Sequence, residues 1–134
     1  MRSRPYVAIA ALIAVSLFTG SIAAAAPARW VRLGSTKVTD RVERDTIAVT
    51  ARRGNFKALQ IRVFERDVQF REVAIRFANG DLQTVELRNV IRAGGQSRIV
   101  DIEGHDRVIR AVELVYDAQS LGGKEARVEV WGRH

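Results

Sequence analysis

The chain has 134 residues, no cysteine, two prolines, two histidines and a formal net charge of +7. That length admits one domain rather than two, and a hydrophobic content of 47% excludes a disordered chain. The absence of cysteine excludes a lipoprotein, a thiol nucleophile and a disulfide-stapled fold.

Residues 1–28 read MRSRPYVAIAALIAVSLFTGSIAAAAPA. Arg2 and Arg4 form a short cationic start, an apolar stretch runs from Tyr6 to Phe18, and small residues lead into the Ala23–Ala26 run. This is the pattern of a secretory signal peptide. A retained membrane anchor is the alternative, since Tyr6 to Ala26 is long enough to span. Alanines suited to the −3 and −1 positions favour cleavage, after Ala25, giving a leader over 1–25 and a single domain over 26–134. The mature part then carries 20 basic and 15 acidic residues, a net charge of +5. A domain of this size buries roughly two thirds of its unfolded surface, enough for one core without staples. The expected location is the periplasm or the exterior of a bacterium, with no transmembrane span left after cleavage.

Beyond the leader, period-two alternation dominates, the mark of half-buried strands. A first strand is expected around Trp30–Val38. Ile47, Val49 and Ala51 form the next, and the stretch from Arg52 to Asn55 punctuates. Leu59, Ile61 and Val63 alternate with polar residues, and Arg66-Asp67 makes a turn. Val68 and Phe70 lie in opposite phase to Val73, Ile75 and Phe77, which predicts a bulge near Arg71. Asn79-Gly80 is a hairpin signal, because both residues tolerate positive φ. Val85 and Leu87 continue beyond it. Leu82–Ile91 has a weak helical stripe that Asn89 breaks, so strand followed by extended loop is expected. Gly94-Gly95 precedes Ile99, Val100 and Ile102. Gly104 opens a turn before Val108–Tyr116, and Gly122-Gly123 precedes Ala126, Val128 and Val130. About eight short strands at this spacing predict an all-β, antiparallel β-sandwich of jelly-roll-like form.

Candidate chemistry is sparse. A serine hydrolase would need Ser35, Ser97 or Ser120 beside His105, since His134 at the terminus is expected to be mobile, and no nucleophile elbow is present. On a straight strand Asp101, Glu103 and His105 would share a face and could bind a divalent metal or serve a small hydrolase, but Gly104 is expected to turn the chain and separate them. Glu113 is the one carboxylate within an apolar run, and its phase puts it on the solvent side. Gly94-Gly95-Gln96 leads into a strand, so it is no phosphate loop. No motif implies a cofactor or a bound metal.

The cations are overwhelmingly arginine, which pairs with carboxylate and phosphate better than lysine does. Nucleic acid is excluded as a partner by export and by aromatics (Phe64, Phe70, Phe77, Tyr116) whose phases read mostly as core. Trp131 falls out of phase with Val128 and Val130, hence on the outer face of the last strand. It either packs against Trp30 or serves as a binding aromatic. Arg98, Arg107 and Arg110 flank a turn and have two readings. Either they pair with Asp101, Glu103 and Asp106 to hold a hairpin, or they converge on an anion. The candidate sites for an anion or partner are therefore Arg98, Arg107, Arg110 and Trp131. The expected role is non-catalytic, binding or supporting an envelope protein or an acidic glycan.

A wider pattern spans the mature chain. It comprises Trp30-Val31-Arg32-Leu33-Gly34, Asn79-Gly80, the run from Gly95 to Ile102, Gly104 to Arg110, Val112, Tyr116, Gly122-Gly123 and Val128-Glu129-Val130-Trp131-Gly132. It resembles a family of small exported bacterial β proteins known as a domain of unknown function. The resemblance implies an all-β periplasmic domain and supplies no catalytic residues.

The leader has a direct check. Intact-mass measurement of the exported protein is expected to find a chain beginning at Ala26, and a chain beginning at Met1 would contradict the reading.

Overall fold

The computed structural model describes residues 29–41, 43–50 and 54–134. The expected leader and Ala51 lie outside the described residues. Among the described residues there are nine strands, β1 (Trp30–Val38), β2 (Arg44–Ala48), β3 (Asn55–Phe56), β4 (Ala58–Phe64), β5 (Val68–Phe77), β6 (Leu82–Ile91), β7 (Val100–Asp101), β8 (Arg107–Tyr116) and β9 (Ala126–Arg133), with a 3₁₀ turn at Ala118–Leu121. No described helix is long and apolar enough to cross a membrane.

The strands form two antiparallel sheets, ordered β1-β9-β4-β7 and β2-β8-β5-β6, with β3 added beside β8. Apart from the β5–β6 hairpin and the β2–β3 connection, each link crosses from one sheet to the other. This is the double Greek-key order of a jelly roll. The inner faces interdigitate around Phe56, Phe70, Phe77 and Tyr116, with Leu59, Ile61, Ile75, Ile109, Leu114 and the valines of β4, β5, β8 and β9. Two glycines let the sheets close. A Cβ on Gly132 would stand 2.6 Å from the Phe56 ring, and one on Gly34 would stand 2.5 Å from Ile47 Cγ2. Tyr116 is fully buried, and its hydroxyl donates to Asp45 Oδ2 at 2.8 Å. Burial first, and then the carboxylate, push the pKa of that hydroxyl above the usual tyrosine range.

Bulges keep the alternation in register. Between Phe70 and Glu72 the pairing shifts against both neighbours, so the phase change in the sequence is a bulge at Arg71. In β1 the register shifts between Arg32 and Gly34, inserting Leu33 as an extra, buried residue. Each of the long strands at a sheet edge, β1 and β6, is therefore interrupted, which blunts edge-to-edge pairing.

Three local expectations need correction. The β5–β6 connection is a three-residue loop, Ala78-Asn79-Gly80, in which Gly80 alone takes positive φ (93°). Asn79 instead spends its side chain on Asp81, accepting from the Asp81 N–H at 3.0 Å, so it needs no left-handed backbone. β6 continues as a strand to Ile91 past its register shift, because its second half pairs with β5 beyond the bulge. His134 is held in place: its ring stacks on Phe56 with centroids 4.5 Å apart, and Nδ1 lies 2.8 Å from the Asn55 carbonyl oxygen.

Candidate functional site

The larger part of the surface excess of cations lies on one face. β9 is the middle strand between β1 and β4, and its outward residues are Arg127, Glu129, Trp131 and Arg133. Register across the three strands sets out four rungs: Lys37–Arg127–Phe64, Ser35–Glu129–Arg62, Arg32–Trp131–Gln60 and Trp30–Arg133–Ala58. The Leu33 bulge makes this possible. Without the extra residue, Trp30 and Arg32 could not share a face with Ser35 and Lys37.

The face carries Arg32, Lys37, Arg62, Arg127 and Arg133 against the single carboxylate of Glu129, with Asp101 at the rim on β7, beside Ala58. The second sheet exposes Arg44, Arg71, Arg76, Arg88 and Arg110 against Glu72, Glu86 and Glu113, with Arg44 paired to Glu113 and Arg88 to Glu86. Both sheets carry more cations than acids, five against one on the first face and five against three on the second.

The rings of this face lie against guanidinium groups. Arg62 Cζ is 4.0 Å from the Trp131 ring centroid, Arg127 Cζ is 4.4 Å from that of Phe64, and Arg133 Cζ is 5.6 Å from that of Trp30. These are cation–π distances. Glu129 sits at the centre with its side chain only 8% exposed. Its carboxylate accepts from Trp131 Nε1 at 3.1 Å and from Arg32 at 3.4 Å, and Arg127 lies 3.9 Å away. Arg127 Nε is buried without a hydrogen-bond partner among the described residues. Arg62 donates to Gln60, which in turn donates to the Ser97 carbonyl, so polar contacts run to the β4 edge. Among the described residues, Lys37, Arg62 and Arg133 make no ion pair.

The four residues singled out from the sequence are divided between the sheets. Trp131 belongs to the cationic face, half-buried, with Arg62 over it rather than Trp30. Arg98 is exposed on the segment beside β4, between Gln96, which bridges to Arg62, and Asp101, which pairs with Ala58. Arg107 and Arg110 lie on β8, in the other sheet. Arg107 reaches the β5–β6 hairpin, donating to Asp81 at 2.7 Å and to Asn79 at 2.9 Å, with its guanidinium 3.8 Å above the Phe77 ring. Its partner is thus Asp81, rather than Asp101, Glu103 or Asp106. Arg110 is exposed; its carbonyl accepts from the Val49 N–H at 2.8 Å, and its side chain makes no ion pair among the described residues.

The Asp101–His105 stretch does not converge. Asp101 ends β7, the Glu103 N–H donates to Gln83 Oε1, and His105 is exposed at φ 70° after Gly104 at φ 85°. Among the described residues no three of His, Asp and Glu come together as a metal set. Ser97 is buried, its hydroxyl accepting from the Ile61 N–H and donating to the Arg98 carbonyl. Glu113 lies on the outer face of the second sheet, paired with Arg44 at 2.6 Å.

Sequence reasoning missed Arg32, Arg62, Arg127, Arg133 and Glu129 as a group. Phe64, expected among the core aromatics, stands on the outer face, because its phase is opposite to that of Leu59, Ile61 and Val63. The available signal was the outward phase of three strands, which becomes a site only once their order is known.

The family profile described as a domain of unknown function (DUF2541) matches residues 10–132. The chain belongs to this family. The resemblance read in the sequence is this membership, and it brings no assigned activity. No curated protein matches the chain. A solved structure, from the structural and functional characterization of Pseudomonas aeruginosa AlgX, is 14% identical, with a TM-score of 0.45. The alignment covers 78% of this chain and 26% of that one, so the chain spans about a quarter of its length.

Arg107 is expected to be a structural arginine. Hydrogen bonds from Asn79 and then from Arg107 hold the Asp81 carboxyl below its ordinary pKa of 3.8. A carboxylate with a depressed folded-state pKa contributes stability above its unfolded pKa and loses it as pH falls through the folded value. Arg107→Ala should therefore lower Tm by several degrees at neutral pH, with a deficit that narrows below about pH 4. Thermal unfolding monitored by circular dichroism across that range checks this, and an unchanged Tm at neutral pH would contradict it.

Proposed function

We propose that this domain is a non-catalytic, exported β-sandwich that binds an acidic partner in the bacterial envelope through the outer face of its first sheet. The observation that carries the reading is the set of cations on that face that no described carboxylate neutralises. Arg62, Arg133 and Lys37 have no ion-pair partner among the described residues, and Arg127 has only a 3.9 Å contact with Glu129. The second sheet intersperses acids among its arginines, pairing Arg44 with Glu113 and Arg88 with Glu86, whereas the first face has Glu129 alone at its centre. Guanidinium groups set against rings lose less freedom when they meet a carboxylate, which favours binding over solvation. The leader-like N-terminus supports an envelope location, where anionic polymers and proteins are the available partners.

A charge-matched pair of variants separates this face from the general attraction of a basic protein. Arg62→Gln and Arg76→Gln each remove one positive charge, from the first and the second sheet respectively. On a carboxylated polymer column at moderate salt, Arg62→Gln should elute clearly earlier than the parent, while Arg76→Gln shifts only slightly. Equal shifts for both variants would remove the basis for a binding face.

A further inference from the structure

The ring contacts bear on what kind of acidic partner fits. A bare aromatic ring on a flat sheet is a platform on which a sugar ring or a nucleobase can stack. Here Trp131 has the Arg62 guanidinium 4.0 Å from its centroid, Phe64 has Arg127 at 4.4 Å, and Trp131 also spends its indole N–H on Glu129. Ring faces engaged in this way are poor stacking platforms, and what the face offers instead is a set of positioned guanidinium groups. A protein partner would normally find an apolar centre within a polar rim. The exposed large hydrophobics among the described residues are Leu82, Val90 and Ile99, and none lies on β1, β4 or β9.

The cations follow the strands. Successive outward positions on a strand are about 7 Å apart, so Arg127 and Arg133 stand roughly 20 Å from each other along β9. Each rung between them holds a cation: Lys37 with Arg127, then Arg62, then Arg32, then Arg133. Glu129 falls in the Arg62 rung and is buried beneath the surface that a ligand would meet. The result is a series of positive charges that steps along β9, drawn in turn from β1, β9 and β4.

We infer that this face is a track for a linear acidic polysaccharide bearing regularly repeated carboxylates, laid along β9 and held by the guanidinium groups of successive rungs without stacking of its sugar rings. The inference rests on the proposed binding role and specifies its ligand. Arginine matches a carboxylate with two parallel N–H donors, and a chain that presents one carboxylate after another engages several arginines for a single loss of translational freedom. Affinity should therefore depend on length up to the span of the four rungs and level off beyond it.

Titration calorimetry of the purified protein with oligogalacturonates, from the monomer to the octamer, reads this directly. Galacturonate itself should bind too weakly to detect. Affinity should climb steeply through the intermediate lengths and then flatten, and added salt should weaken it. Arg62→Gln and Arg32→Gln should each reduce octamer affinity several-fold, while Arg76→Gln leaves it nearly unchanged. Arg32 has a half-exposed side chain and serves as the second variant should Arg62→Gln prove unstable. Affinity that scales with charge alone, with no plateau, overturns the track but leaves a binding face. Tighter binding of inorganic polyphosphate than of the oligogalacturonates at matched charge overturns the polysaccharide assignment. Failure of every polyanion to distinguish Arg62→Gln from Arg76→Gln overturns the binding role itself.

Discussion

Glu129 places a carboxylate at the middle of three paired strands, with a side chain that water barely reaches. A charge so placed is costly unless cations and donors surround it. Trp131 Nε1 and Arg32 supply hydrogen bonds, and Arg127 stands just beyond. One acid, however, cannot neutralise five cations. Glu129 fixes the positions of the indole and of the nearest arginines, and leaves Arg62, Arg133 and Lys37 without a carboxylate of their own among the described residues. Cation–π contacts hold Arg62 and Arg133 over rings, so the positive charge is ordered without being cancelled.

That arrangement depends on the jelly roll beneath it. The two sheets approach closely only because Gly132 and Gly34 leave room for Phe56 and Ile47. A side chain at either position would separate the sheets or tilt β9, and added bulk in a packed core typically costs about 1–3 kcal/mol. The Leu33 bulge matters as much. It resets the alternation of β1 halfway along, keeping both halves of the strand on one outer face while feeding Leu33 into the core. A slip of one residue would exchange Arg32 for an apolar neighbour and break the charge series. Fold and face are therefore set by the same few residues.

Much of this was legible in the sequence. Each of the eight expected strands has a counterpart, because alternation of apolar with charged residues is a local signal, although β2 (Arg44–Ala48) ends before Val49 and β7 is only Val100–Asp101. The bulge at Arg71 was visible as a phase change, and the outward placement of Trp131 as a phase mismatch with Val130. The two-residue β3 was not legible, since Asn55-Phe56 is too short to alternate and is defined by its pairing with Val108 and Arg107. Nor was the site. Arg98, Arg107 and Arg110 are neighbours in the chain, yet the crossing between β7 and β8 sends them to different sheets. Arg32, Arg62 and Arg133 are far apart in the chain, and only the order β1-β9-β4 makes them neighbours. The partner of Arg107 was hidden for the same reason, because Asp81 belongs to a hairpin that β8 meets only in the folded state.

The central claim is that the ordered but uncompensated guanidinium groups of the first sheet are the contact surface for an anionic chain. Side-chain nitrogen NMR tests it at the atoms concerned, by following arginine Nε–Hε and tryptophan indole resonances as an oligogalacturonate is added. The account predicts saturable shifts at Arg32, Arg62, Arg133 and Trp131, with Arg44 and Arg76 on the second sheet unmoved. Shifts spread evenly over the arginines of both sheets, or confined to Arg107 and Arg110, would contradict it.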